Sequence, residues 1–375
     1  MNYKKNWEAA QQKFINWWAH KNTGRPLMIV MGQKGQRAEL DPAMEYNNLE
    51  EKYTNAEKIV AHYRNWAEDI EWMGESFPSL FADFGPGSVA AYLGCDITWQ
   101  ERTVWFNEIM DEDDEWDDIP PLKFDPENKW FKKHIELIKK CKELSNDDFL
   151  VNIPDLMENV DVLASMRGAN ALIYDLVDDP DAIHERVAQV QNSYFEFYDR
   201  FYDIIKTPDG GSSYTMFSIW GPGKTAKVQC DFSAMMGPDM FREFIQEPLR
   251  EQCKKLDYVL YHLDGPDAIK HVDALMEIDE IDALQWTSGD HGPDGTQVEW
   301  EEAIYDKVIR AGKSLWIKVY TGTVDDWIAG CDRLVKKYGS DRLYFYFNPM
   351  PIEDAKKLMA YAEENWCDVK GTFQG

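Results

Sequence analysis

The chain has 375 residues, carries a formal net charge of −28 with a pI near 4.6, and is 44% hydrophobic and 14% aromatic. That length exceeds a simple barrel of roughly 250 residues, and the apolar content is enough for a large core. So acidic a surface repels phosphate backbones and anionic lipid, which excludes nucleic acid and membrane surfaces as expected partners.

No apolar run is long enough to span a bilayer, and the N-terminus lacks a signal-peptide stretch, so a cytoplasmic protein is expected. The six cysteines, Cys95, Cys141, Cys230, Cys253, Cys331 and Cys367, include no C-x-x-C pair. Free thiols in a reducing compartment are the simplest account.

In chain order, Trp7, Phe14, Trp17 and Trp18 recur at helical spacing and predict an apolar helical stripe within residues 1–25, ended by Gly24 and Pro26. The run 27–32 then reads as a buried parallel strand. Similar runs follow at 77–84, 149–153, 214–220, 258–263, 281–286, 314–320 and 343–347. The last five alternate with helical patterns, which implies right-handed crossovers. Eight such units predict an α/β chain folded as one (β/α)8 TIM barrel, domain 1–375, although a doubly wound open sheet has the same pattern. Asp125-Pro126 and Asp179-Pro180 mark helix starts, the second opening a long helix to about Lys206, and Thr323 with Asp326 makes a capping-box pair. Residues 85–128 read as an insertion on the barrel top after the second strand, with a short hairpin through 103–107 and a solvated acidic run at 111–115.

In a parallel barrel the strand ends line the pocket. The fifth run ends in His262-Leu263-Asp264-Gly265. Side chains two apart on a strand share a face, so His262 and Asp264 point together, as an acid/base pair, as two metal ligands, or as a pair shaping the loop. Asp83 lies among apolar neighbours, where desolvation raises a carboxyl pKa. It reads as a proton donor, a site for a cationic group, or a turn cap. Trp220 and Gln229 belong to the fourth unit as candidate substrate contacts. Asp231 would bind substrate or cap the next helix. Trp286 offers a flat wall in the segment that runs on to Asp290 and His291. Lys318 would neutralise an acidic substrate or an internal carboxylate, or sit in a structural ion pair. Asn348 ends the eighth run. No dinucleotide fingerprint, phosphate loop, serine elbow or zincin motif sits at a matching position, so NAD and ATP are not expected.

The order of several segments resembles the uroporphyrinogen decarboxylase superfamily, which includes corrinoid-linked methyltransferases. The matching pieces are Met31-Gly32-Gln33-Lys34-Gly35, Leu80-Phe81-Ala82-Asp83-Phe84, the stretch 169–184, Gln229-Cys230-Asp231-Phe232-Ser233 continuing through Pro238 to Phe244, and Tyr261-His262-Leu263-Asp264-Gly265. The resemblance implies a barrel, a catalytic role at Asp83, and often a dimer. Gly32 stands where the decarboxylases carry an arginine, with Lys34 and Arg37 nearby, and no histidine stands near the last strand. His262-Leu263-Asp264 stands at the methyltransferases' His-x-Cys zinc pair, and Asn348 at their later cysteine. The resemblance thus implies zinc or another divalent metal on His262 and Asp264, with methyl transfer from a small methylated substrate to a corrinoid protein. A lyase using Asp83 and Lys318 is the second reading, and a non-catalytic ligand-binding barrel the third.

Overall fold

The computed structural model describes residues 1–111, 114–289 and 292–373. Glu112 and Asp113 of the acidic run, and Asp290 and His291, lie outside the described residues. The strands are β1 (Leu27–Gln33), β2 (Ile70–Gly74), β3 (Ser79–Leu80), β4 (Asp96–Trp99), β5 (Val104–Asn107), β6 (Leu150–Val151), β7 (Ser212–Tyr214), β8 (Ile219–Gly221), β9 (Thr225–Gln229), β10 (Tyr258–Asp264), β11 (Ala283–Thr287), β12 (Ser314–Val319), β13 (Leu343–Phe347) and β14 (Met350–Pro351). The main sheet runs β14-β1-β13-β12-β11-β10-β9, parallel throughout, and β2 pairs antiparallel with β1. Many helices pack around this mostly parallel sheet.

Strand alternation separates two apolar layers. Leu27, Ile29 and Met31 of β1 join Leu260, Ala283, Trp316 and Tyr344 in one cluster, whereas Met28, Val30, Val259, Leu284, Leu315 and Phe345 pack in another with the helices. A period of two on every strand produces this division. The helix Trp7–Trp18 puts Phe14, Trp17 and Trp18 into the first cluster. It lies across the strand starts: Trp17 Nε1 donates to the Arg342 carbonyl at 3.2 Å, and the Trp18 ring sits 5.4 Å from Tyr258.

The remaining strands are less regular. β3 and β6 pair in parallel over two residues each, and side-chain and loop hydrogen bonds tie them to their neighbours. Ser76 Oγ donates to the Val30 carbonyl at 2.9 Å, and Ile153 N to the Ser213 carbonyl at 2.9 Å.

The expected fourth strand, 214–220, is instead an antiparallel hairpin of β7 and β8. Ser218 takes a φ of 48° and its N–H returns to Thr215, which breaks the run. The strand that pairs with β10 is β9. The expected second run shrinks to β3, preceded by the unexpected antiparallel β2. Asp125 does not start a helix: it accepts from Glu127 N, and Asn128 caps Lys129–Ser145. The cap at Asp179, the helix Pro180–Ile205 and the Thr323–Asp326 capping box form as the sequence predicts, as does a hairpin, here β4 with β5. Among the described residues no helix is long and apolar enough to cross a membrane.

Candidate functional site

Strand direction places the strand C-termini opposite the Trp7–Trp18 helix, and a cavity of about 720 Å³ opens there. Its polar lining includes Asp83, Asp155, Lys227, Gln229, Asp231 and His262. Lys227 and Gln229 are two apart on β9 and share its inward face, as His262 and Asp264 do on β10.

Lys227 is buried and bonds Asp155 Oδ1 at 2.5 Å and Gln229 Oε1. Its ammonium also lies 5.6 Å from the centre of the Tyr214 ring. Behind it, Glu158 Oε1 accepts Gln229 N at 2.7 Å, and Asp161 accepts the backbone N–H groups of Asp231 at 2.9 Å and Phe232 at 2.8 Å. Burial pushes Glu158 up to about 8 and Asp161 up to about 7, the latter helped by the Asp231 carboxylate. Asp83 is raised well above the usual carboxylate range, first by burial and then by Asp155. Its oxygens accept Gly85 N and Asp155 N, so it also fastens the turn after β3 to the segment after β6. That turn needs glycine: Gly85 has a φ of 95°, and a Cβ there would meet Val104 Cγ2 at 2.3 Å.

His262 sits where β9, β10 and β11 meet. Its Nδ1 bonds Gln285 Oε1, and Gln285 Nε2 donates to Thr287 Oγ1 at 2.8 Å. This fixes the ring and assigns the proton to Nδ1, leaving Nε2 with a lone pair. Burial lowers the His262 pKa against the opposing pull of Asp231. Donor atoms of Asp231, His262 and Asp264 all lie within 4.8 Å of one another. This spacing can hold a cation through one nitrogen and carboxylate oxygens, a set that suits zinc or a harder divalent ion.

The structure brings Asp83, Gln229, Asp231 and His262 to one cavity, with Asp264 beside them. It separates four other expected site residues. Trp220 is 1% exposed and packs against Trp7 and Phe14 near the Trp7–Trp18 helix, so it is core. Trp286 and Lys318 line a smaller pocket of about 220 Å³ with Tyr320. Lys318 is exposed there, makes no ion pair among the described residues, and has its ammonium pKa lowered by partial desolvation. Asn348 contacts Val319 through its backbone and lines neither space. Lys34 and Arg37 turn to Glu68, Glu71 and Asn65 outside the cavity.

Asp155, Glu158, Asp161 and Lys227 were not legible as candidates. A lysine inside the apolar run Thr225-Ala226-Lys227-Val228-Gln229 was the available signal.

The fold and site define an α/β protein with a mostly parallel sheet and an aromatic-walled cavity at the strand ends that is lined by both acids and cations. No family model and no curated protein matches the chain. Among solved structures, a methyltransferase from Methanosarcina mazei is similar with a TM-score of 0.61 and 13% identity, covering 95% of this chain and 98% of that one. At that identity the likeness establishes the fold.

Proposed function

We propose that the chain is a methyl-transfer enzyme of the uroporphyrinogen decarboxylase superfamily. In this reading it is one closed (β/α)8 barrel that moves a methyl group from a small methylated compound to a corrinoid carried by a partner protein. The observation that carries the reading is the convergence of Asp231, His262 and Asp264 beside a cavity large enough for a small molecule. The methyltransferase neighbour supports the reaction class, and its coverage of nearly the whole chain supports the barrel.

Asp231, His262 and Asp264 would hold zinc or another divalent ion. Such an ion supplies Lewis acidity at the heteroatom that bears the methyl group. Gln285 keeps the His262 imidazole in the tautomer a ligand needs. Lys227, held by Asp155, places a buried positive charge on the cavity wall, where it favours negative charge developing on a departing heteroatom. Phe217, with its ring 5.0 Å from His262, shields the imidazole from water.

The lyase reading loses its pairing, since Asp83 and Lys318 line different cavities. The test is elemental analysis of purified protein, followed by incubation with cob(I)alamin and a panel of O- and N-methylated compounds. A bound divalent metal and formation of methylcobalamin, both lost in His262→Ala, are expected. No metal and no transfer across the panel would overturn the reading.

A further inference from the structure

The large cavity is lined by both aromatic rings and charged groups. Tyr46, Tyr53, Tyr63, Trp66, Phe81 and Phe217 give it aromatic walls, which favour a flat apolar guest. A charge inventory of the same lining decides what else the guest carries. Lys227 is matched by Asp155. Asp83 is engaged by two backbone N–H groups. Asp231 belongs with His262 and Asp264.

Lys52 and Arg102 also line the cavity, and neither forms an ion pair among the described residues. Lys52 Nζ donates to the Glu101 carbonyl and lies 5.8 Å from the Tyr53 ring, which leaves its charge uncompensated. They come from separate elements, the helix Leu49–Thr54 and the turn between β4 and β5, yet they border one opening. On a chain of net charge −28, the lining balances three cations, Lys52, Arg102 and Lys227, against the carboxyls of Asp83, Asp155 and Asp231, and Lys52 and Arg102 are the two cations with no carboxylate partner among the described residues.

We infer that the cavity takes a planar aromatic anion, its ring held between the aromatic walls and its carboxylate or similar group met by Arg102 and Lys52. This deepens the methyl-transfer reading and rests on it for the fate of the bound molecule: an aryl methyl ether facing His262 would lose its methyl through cleavage of the methyl C–O bond, the methyl passing to cob(I)alamin to give methylcobalamin and the ring oxygen leaving as a phenolate that takes up a proton. Arginine and lysine at a partly enclosed site bind a carboxylate through charge-assisted hydrogen bonds.

The test is calorimetric binding to the full chain of 4-methoxybenzoate, 4-methylbenzoate, neutral 4-methoxytoluene and cationic 4-methoxybenzylammonium. Both anions should bind at least about tenfold more tightly than the neutral and cationic analogues. The double variant K52Q/R102Q should lose that preference while its affinity for 4-methoxytoluene stays unchanged. Equal or tighter binding of the neutral or cationic analogue, or an unaltered preference in the double variant, would overturn the inference. 4-Methylbenzoate has no ether methyl to give. If both anions bind through Arg102 and Lys52 but 4-methoxybenzoate yields no methylcobalamin, the pocket assignment stands and the methyl-transfer reading fails. If another compound gives up its methyl while no aromatic anion binds, methyl transfer stands and the pocket assignment fails.

Discussion

The two sides of the sheet differ in how they are held and in what they carry. From β9 through β13 to β1, parallel ladders several residues long fix every neighbour. On the other side, β3, β6 and β7 contribute two or three residues each and are joined by a few side-chain and loop hydrogen bonds. The 720 Å³ cavity spans that irregular side and borrows Lys227, Gln229 and His262 from the regular one. Short strands leave room for polar side chains, and buried ion pairs take over the joining that ladders perform elsewhere. The continuously laddered half thus presents the imidazole, and the half with short ladders supplies most of the remaining wall.

The comparison breaks most visibly if the irregular side does not depend on its ion pair. Lys227→Met leaves Asp155 buried without its partner and should destabilise the chain by about 3–5 kcal/mol, measured by urea unfolding. A loss below about 1 kcal/mol would mean that the pair does not join the two halves.

A similar cost, with a different signature, is expected at the strand starts. Trp220→Ala removes a ring packed by Trp7 and Phe14 and should cost about 3–5 kcal/mol. Ligand affinity measured under native conditions should be unchanged, because Trp220 is outside the cavity lining.

A further effect concerns pH. Burial raises Glu158 from an ordinary 4.5 to about 8 in the folded chain, so the folded state keeps a proton that the unfolded state has released. Its contribution is complete below the unfolded value and falls away as pH rises toward 8. Unfolding curves at a series of pH values should show a shallower decline for Glu158→Gln than for the natural chain between about pH 4.5 and 8. Identical slopes would remove Glu158 from the account.

The smallest effect is expected at the second pocket. Lys318 is exposed and unpaired by any carboxylate among the described residues, so Lys318→Met should shift stability by less than about 0.5 kcal/mol. A cost approaching that of Lys227→Met would erase the contrast between the two lysines.

The contrast also explains what the sequence discloses. Strands of the regular side announce themselves as bounded apolar runs, and the spacing of His262 and Asp264 on one of them puts both on one face. The irregular side misleads. Tyr214 to Trp220 has a stronger β composition than Thr225 to Gln229, yet the turn at Ser218 folds the first into a hairpin and pairing with β10 selects the second. Lys227 was hidden by that displacement. Asp155, Glu158 and Asp161 were hidden because their burial is created by contacts with β9 and the segment after it, more than sixty residues away in sequence. Trp220 failed as a site residue for the same reason: once the hairpin forms, it falls against the N-terminal helix.

Asp231, His262 and Asp264 are proposed to form one cation site at the cavity. Elemental analysis after dialysis against limiting zinc tests it most directly, comparing the natural chain with Asp231→Ala, His262→Ala and Asp264→Ala. Retention of metal by the natural chain and its loss in each variant is the predicted result. Equal metal content in all four, or none in the natural chain, would contradict it.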